Sequence, residues 1–311
     1  STLDRSSAAS DVYKRQGETR EDPGLRVVSE DDSGVVISGM KMLATGAVFA
    51  NEILIGNLTP LAHEFGKYAI TGMLAMNTPG LSLWARRPYA QGVDAELDYP
   101  LSYKYDEGDA VVMCEDVHVP WENVFVHDHA ELSRGCYITT PANCLSNHQS
   151  NVRFWSKMSL LVGLASRICQ STGNDKIPAV REQLGRLAAL EGTIAGMVHG
   201  QIQAYEEWPG GRDGYVCFNR RYMYASIHWA MENHSQLLDI VRELMGGGVF
   251  QFPASIDVIR NPVLRELFES YWSTSEGGAV ERMKLFKLAW DLIGSEHASR
   301  ATSYEKFFVG P

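Results

Sequence analysis

Cysteine is sparse and scattered in this chain. The five cysteines (Cys114, Cys136, Cys144, Cys169, Cys217) are odd in number and form no CxxC pair. That argues against a disulfide framework or a zinc site, and it suits a reducing, cytoplasmic setting. Long apolar runs are missing too. No uninterrupted stretch approaches the roughly 20 residues that span a bilayer, so an integral membrane protein is excluded. Basic charge is in deficit: Lys plus Arg number 28 against 38 Asp plus Glu, a net charge of −10. Such a surface repels phosphate backbones, no basic stripe offsets it, and no nucleic-acid partner is expected.

What is present is an ordinary globular composition, 45% hydrophobic and 21% charged over 311 residues. The length predicts about two domains. Residues 1–16, STLDRSSAASDVYKRQ, are polar, lack an apolar period and lack the h-region of a signal peptide. DVYKRQ is what the codons GAT GTG TAT AAG AGA CAG encode, a string that looks like the end sequence of a transposon used in sequencing libraries. The segment is read as an assembly artefact, with a disordered natural terminus as the alternative.

From residue 17 to 142 the pattern predicts a middle β domain. Short apolar runs at 25–28, 35–38, 52–55, 68–76, 81–85, 110–113 and 117–119 are separated by turn signals, as in a sandwich or small barrel. Two acidic stretches, 29–34 and 106–109, read as a turn and a solvated hairpin tip. From 143 to 311 the period becomes helical. One stripe carries Phe154, Met158, Leu161, Ala165 and Ile168. A second carries Val180, Leu184, Leu187, Ile194, Met197 and Ile202. A third runs from Met223 through Ile227, Ala230, His234, Leu237 and Val241 to Leu244, and a fourth from 280 to 293. Breaks fall at 171–175, 209–214 and 246–248. The expectation is α+β, a β-sandwich or barrel followed by a four-helix bundle.

Each chemical motif has a plain structural alternative. In Ser38-Gly39-Met40-Lys41-Met42-Leu43-Ala44-Thr45 a strand delivers a Thr hydroxyl that can meet the ring atoms of a flat cofactor, or else the string is a hairpin with a surface Lys and a satisfied Thr. Gly246-Gly247-Gly248 either lets backbone approach a ligand or caps a helix. In Gly294-Ser295-Glu296, Ser295 is positioned to cap a following helix whose N–H groups meet a phosphate or ring edge, or the string is a helix-to-helix turn. His127 and His129 share a strand face as a metal pair would, but no third ligand has a supporting spacing, so no metal is expected. His234 reads as a core histidine. Cys144 and His148 make a thiolate pair only if their stretch is helical, and no orienting group can be named. The string Asp98-Tyr99-Pro100-Leu101 reads as a turn whose Tyr would contact an aromatic substrate if it lies beside a pocket.

Four strings occur in order: Gly39-Met40-Lys41-Met42-Leu43-Ala44-Thr45, Pro120-Trp121-Glu122-Asn123-Val124, Leu285-Phe286-Lys287-Leu288-Ala289-Trp290-Asp291 and Ile293-Gly294-Ser295-Glu296. Together, over about residues 22 to 310, they resemble the 4-hydroxyphenylacetate 3-monooxygenase family, the oxygenase components of two-component flavin monooxygenases. The resemblance implies the acyl-CoA dehydrogenase fold, with an N-terminal helical domain missing here. It implies flavin contacts at Thr45 and across Gly294, Ser295, Glu296, His297 and Ala298, where His297 replaces the family's usual Phe. Gly247 and Gly248 align with a loop that approaches flavin across a subunit interface, and Asn57 and Leu58 fall where the phenol pocket is lined. The family's catalytic Arg, Tyr and His would precede residue 17 and match nothing here, and the chain is expected to be truncated at both ends.

The implied chemistry is ortho-hydroxylation of a phenol such as 4-hydroxyphenylacetate to a catechol, through a C4a-hydroperoxide of reduced FAD (or FMN). The implied partners are a separate NAD(P)H-flavin reductase, O2 and copies of the same chain in a homotetramer. Two alternatives stand beside it: an acyl-CoA dehydrogenase-like flavoenzyme, or a catalytically inert oligomerising fragment. The chain alone is expected to hydroxylate no phenol.

Overall fold

The computed structural model describes residues 23–58, 60–208 and 214–307. Residues 1–16, most of the break expected at 209–214 and the terminal residues 308–310 of the resemblance lie outside the described residues. Two compact units emerge. Of the described residues, one holds those from 23 to 88 together with Glu107–Asn143; the other holds Tyr89–Asp106 and those from 144 to 307. A single cut at 142/143, as the sequence suggests, therefore leaves out the Tyr89–Asp106 segment, which clusters with the helices although it lies between two strands.

The first unit is built from β1 (Arg26–Asp31), β2 (Gly34–Lys41), β3 (Glu52–Ile55), β4 (Thr71–Ala75), β5 (Leu81–Ala85), β6 (Ala110–Pro120) and β7 (Val124–Val126). One antiparallel sheet has the order β1-β2-β6-β5 and the other β3-β4-β7. The β1–β2 turn is confined to Asp32 and Ser33, because the Asp31 carboxylate accepts the Ser33 and Gly34 N–H groups at 2.7 and 3.2 Å. Val35, Ile37, Val112, Cys114, Val117 and Val119 from one sheet meet Ile55 and Leu74 from the other in one apolar core, so the arrangement is a small sandwich.

Three strand expectations are corrected. The runs 110–113 and 117–119 are one strand, β6, whose alternation is reset by a bulge at Glu115–Asp116. Asp116 sits there at φ 50°, exchanging hydrogen bonds with the Ser38 hydroxyl at 2.7 and 2.9 Å. The run 68–76 is a strand only over Thr71–Ala75, preceded by a 3-10 turn at His63–Tyr68. The stretch 106–109 is no hairpin tip: Asp109 Oδ1 accepts the Thr45 hydroxyl at 2.8 Å, and the Gly46 N–H donates to the Glu107 carbonyl at 2.7 Å. A short helix, α2 (Ala130–Ile138), follows β7, where the sequence pattern predicts none.

The second unit contains α1 (Pro100–Lys104), α3 (Ala142–Thr172), α4 (Pro178–Gln203), the hairpin β8 (Glu206–Glu207) and β9 (Val216–Cys217), α5 (Arg220–Met245), α6 (Asp257–Arg260), α7 (Pro262–Trp272), α8 (Ala279–Ile293) and α9 (Glu296–Phe307). The predicted stripes of α3 and α5 are buried as expected over Phe154 to Ile168 on one and Met223 to Val241 on the other, while Leu244 at the end of the latter is only half-buried. On α4 the buried positions are Leu187, Ile194, Val198 and Gln201, whereas Ile202 faces out.

Candidate functional site

In the β unit the Gly39–Thr45 string delivers two polar side chains. Gly39 is at φ 117° with the Gly24 carbonyl packed where a Cβ would stand, which accounts for the glycine. Lys41, at the end of β2, is not the surface lysine of the plain reading. It is half-buried, and its Nζ donates to Asn57 Oδ1 at 2.6 Å. Burial pushes its ammonium down to about 8. Asn57 in turn donates to the Tyr68 carbonyl at 2.7 Å and the Ser133 hydroxyl at 2.9 Å. Both amide hydrogens of Asn57 are thereby engaged, and Lys41 joins the candidate residues, a position the sequence pattern does not single out. Its partner is 16 residues away on another segment, so no local spacing reveals it. Leu58 beside it is 66% exposed. Thr45 is exposed, with its hydroxyl held by Asp109.

The Pro120–Val124 string forms a corner between β6 and β7. Trp121 Nε1 donates to the Asp31 carbonyl at 2.9 Å, a structural use of the motif. His127 and His129 do not share a strand face. His127 pairs with Glu30 at 2.6 Å, and His129 Nδ1 accepts the Leu132 N–H as the N-cap of α2. No cluster of three or more His, Cys, Asp or Glu suited to a metal occurs among the described residues.

In the helical unit, Lys287, Asp291 and Ser295 recur every four residues and are all buried. The Lys287 ammonium bonds the Ala254 carbonyl at 2.5 Å and pairs with Asp98 at 3.1 Å. The Asp291 carboxylate accepts the Leu101 and Ser102 N–H groups, both at 2.7 Å, and the Ser102 hydroxyl at 2.5 Å. The Asp98–Leu101 stretch is thus the anchored start of α1 rather than a free turn. Ser295 caps α9 as anticipated, accepting the Ala298 N–H at 3.1 Å. Gly294 ends α8, and a Cβ there would stand 2.6 Å from the Trp290 ring. Glu296 is exposed, His297 packs edge-on against Tyr89 with centroids 5.3 Å apart, and Ala298 is buried.

The glycine triplet has packing reasons. Gly246 ends α5 at φ 60°, and a Cβ on Gly248 would lie 2.5 Å from the Phe286 ring. Gly247 faces Gln251 and Phe250. His234 is buried edge-on to Phe154, and burial lowers it to about 4. Cys144 and His148 do lie on one helix, but they are not a pair. The Cys144 thiol donates to the Phe218 carbonyl at 3.6 Å, while His148 bonds Gln201 at 2.8 Å and stacks on the Phe218 ring.

Comparison with known proteins gives a consistent result. The model described as 4-hydroxyphenylacetate 3-hydroxylase N terminal matches residues 3–126, reaching into the segment set aside above, and its C-terminal counterpart matches residues 133–311. The chain is 29% identical over 311 residues to the pyoverdin chromophore biosynthetic protein PvcC of Pseudomonas aeruginosa, covering 99% of this chain and 60% of that protein. It is 28% identical over 290 residues to the oxygenase component of a 4-nitrophenol 2-monooxygenase from Rhodococcus sp., covering 92% and 55%. A solved oxygenase component (HpaB) of 4-hydroxyphenylacetate 3-monooxygenase, complexed with FAD and 4-hydroxyphenylacetate, matches with a TM-score of 0.87 at 27% identity, covering 95% of this chain and 60% of that one. A probable acyl-CoA dehydrogenase from Mycobacterium abscessus, with a TM-score of 0.52 at 14% identity, shares the fold alone. The chain therefore spans less than two thirds of the length of these relatives.

Proposed function

The chain belongs to the 4-hydroxyphenylacetate 3-hydroxylase family, and from that membership we propose that it serves in the oxygenase component of a reduced-flavin-dependent monooxygenase that hydroxylates a phenol ortho to its hydroxyl, giving a catechol. The observation that carries the reading is the structural likeness, over 95% of this chain, to a protein solved with FAD and 4-hydroxyphenylacetate. The whole protein's substrate is a phenol of this class, 4-hydroxyphenylacetate being the first to test.

The residues present fit a flavin by the chemistry of their donors and acceptors. Thr45, whose hydroxyl donates to Asp109 at 2.8 Å, is a polar group of the kind that meets a flavin ring edge. Separately, the start of α9 at Gly294 to Ala298 offers the positive end of a 12-residue helix to a phosphate or an electron-rich ring edge. Gly247 and Gly248 are assigned a weaker share, through backbone approach. When bound in its reduced form, FAD (or FMN) supplies the oxygen activation. The side chains bind, orient and exclude water. Lys41, mostly protonated at neutral pH, favours an anion beside it, whether a phenolate or an anionic flavin ring. Asn57 positions Lys41, and Leu58 offers apolar area to an aromatic ring. The catalytic Arg, Tyr and His implied by the resemblance are assigned to no residue of this chain.

The relatives' description as oxygenase components supports a separate NAD(P)H-flavin reductase as partner, with O2 as co-substrate. A homotetramer is supported by α7, whose Val263, Leu267 and Tyr271 form an exposed apolar stripe suited to a second copy. No described helix is long and apolar enough to cross a membrane. The free thiols and acidic surface support a cytoplasmic setting.

Flavin binding tests the reading directly. Anaerobic titration of the purified chain with reduced FAD is expected to give saturable binding, weakened about tenfold by Thr45→Val through loss of one hydrogen bond. Catechol formation from 4-hydroxyphenylacetate, with reductase, FAD, NAD(P)H and O2 supplied, is the product expected of the whole protein. Absence of saturable flavin binding, or enoyl-thioester formation in place of catechol, overturns the proposal.

A further inference from the structure

The thiol that the sequence would pair with His148 has a different neighbour. Cys144 is in the first turn of α3 and fully buried, and its Sγ reaches the carbonyl of Phe218. Phe218 directly follows Cys217 on β9, so the Cys144 sulfur, in contact with the Phe218 carbonyl, lies beside the Cys217 residue, and each thiol feels the other. His148 is occupied by Gln201 and by the Phe218 ring, so it does not compete for either sulfur. Cys217 is only half-buried, so of the two residues it is the one open to solvent. Both cysteines are free thiols, 73 residues apart in sequence, and lie on different elements.

We propose that Cys144 and Cys217 are an oxidation site, a thiol pair that hydrogen peroxide converts into a disulfide tying the start of α3 to the β8–β9 hairpin. In the first step the Cys217 sulfur, as thiolate, attacks one peroxide oxygen. The O–O bond breaks, a sulfenic S–OH forms, and hydroxide leaves and takes up the released proton as water. In the second step the Cys144 sulfur attacks the sulfenic sulfur. The S–S bond forms, the S–O bond breaks, and a second water leaves with the Cys144 proton. Two thiols and one peroxide become one disulfide and two waters, with the sulfurs losing two electrons and the peroxide oxygens gaining them.

Charge around the pair sets the rate. Burial, the adjacent Cys144 and Glu206, its cross-strand partner, together push Cys217 up to about 11, with Arg220, paired with Glu206, opposing the rise. The thiolate is therefore scarce at neutral pH, and oxidation gains about tenfold per pH unit up to that value. The pair thus resists stray oxidant yet yields to sustained peroxide. An oxygenase working with reduced flavin and O2 is such a source when oxygen activation is not followed by transfer to substrate. That origin rests on the function proposed above; the thiol pair does not.

The test is peptide mapping of the reduced full chain after timed exposure to added hydrogen peroxide, with the remaining thiols alkylated. Expected is a linked Cys144–Cys217 peptide pair, about 2 Da lighter than the two thiol peptides together and separated by dithiothreitol. Its yield should rise with pH, vanish in Cys217→Ser and persist in Cys136→Ser. Both cysteines remaining alkylatable while Cys136 or methionines oxidise, or either cysteine linking elsewhere, overturns the site. In a second arm, reductase, FAD, NAD(P)H and O2 without a phenol replace the added peroxide. Linkage in the first arm and none in the second discards the flavin origin and upholds the site.

Discussion

The β unit and the helical unit bury different kinds of side chain. Among the described residues, the β unit buries only Thr71 and Ser133 as polar groups. The helical unit buries Asn151, Gln201, Ser226, His234, Lys287, Asp291, Glu305 and others. Sheets pair their backbone groups in ladders, which leaves an interior of Val, Ile and Leu with little polar work to do. The helical unit also carries long irregular connections and several helix ends whose N–H and C=O groups need partners. Buried ions supply them. Asp291 takes the first-turn N–H groups of α1, Lys287 takes a carbonyl beside α6, and Glu305 ties α9 to Arg153 and Lys157 of α3 at 2.9 and 2.6 Å. Lys41 at the end of β2 apart, the β core should therefore be indifferent to charge, and the helical core should depend on it.

The hardest blow to that contrast is Asp291→Ala. It leaves three donors of Leu101 and Ser102 without their acceptor and is expected to cost about 3–5 kcal/mol. Hydrogen exchange should show protection lost over α1 and α8 and retained in β2 and β6; equal loss in both units would erase the distinction. Acid comes next. His234 has its folded value lowered to about 4 from 6.5, so between these the unfolded chain binds the proton and the folded one does not. Its contribution is complete above pH 6.5 and is lost as pH falls toward 4, about 3 kcal/mol in all. Glu305, held below the usual carboxylate range by Arg153 and Lys157 against the opposing effect of burial, loses its contribution only as pH falls below 4.5. Urea midpoints measured from pH 7 to pH 4.5 should slope downward, and His234→Phe should flatten them; an unchanged slope assigns the acid response elsewhere. The smallest expected effect is apolar. Gly248→Ala puts a methyl against the Phe286 ring, which stacks on Phe252 at 4.7 Å, and should cost about 1–3 kcal/mol in thermal or urea unfolding. A neutral result would show that this part of the helical core yields where the polar part does not.

Legibility in the sequence follows the same division. The stripes of α3 and α5 could be read because each helix buries one face over many turns, so Phe154 to Ile168 and Met223 to Val241 repeat without interruption. β6 was read as two strands because the bulge at Glu115–Asp116 adds a residue and flips the alternation. α2 was missed because it is nine residues long and His129, an uncommon N-cap, starts it. For the candidate site, Thr45 and the Gly294–Ala298 turn came from ordered motifs, and Asn57 only from the family resemblance those motifs carry. The half-buried state of Lys41 and the sulfur partner of Cys144 depend on segments 16 and 73 residues distant, which no periodicity encodes. The Leu285–Asp291 motif was legible as a signature, but not as the set of anchors that Lys287 and Asp291 form.

Those anchors also set an order of events during synthesis. Ser102 precedes Asp291 by 189 residues, so the Tyr89–Asp106 segment leaves the ribosome long before its acceptor exists. At ordinary elongation rates the delay is about 10–40 s. Strands β5 and β6 can pair on either side of that segment during the interval while it hangs as an unfilled loop. It is then fastened by the late-made α8, whose arrival completes a region begun nearly two hundred residues earlier.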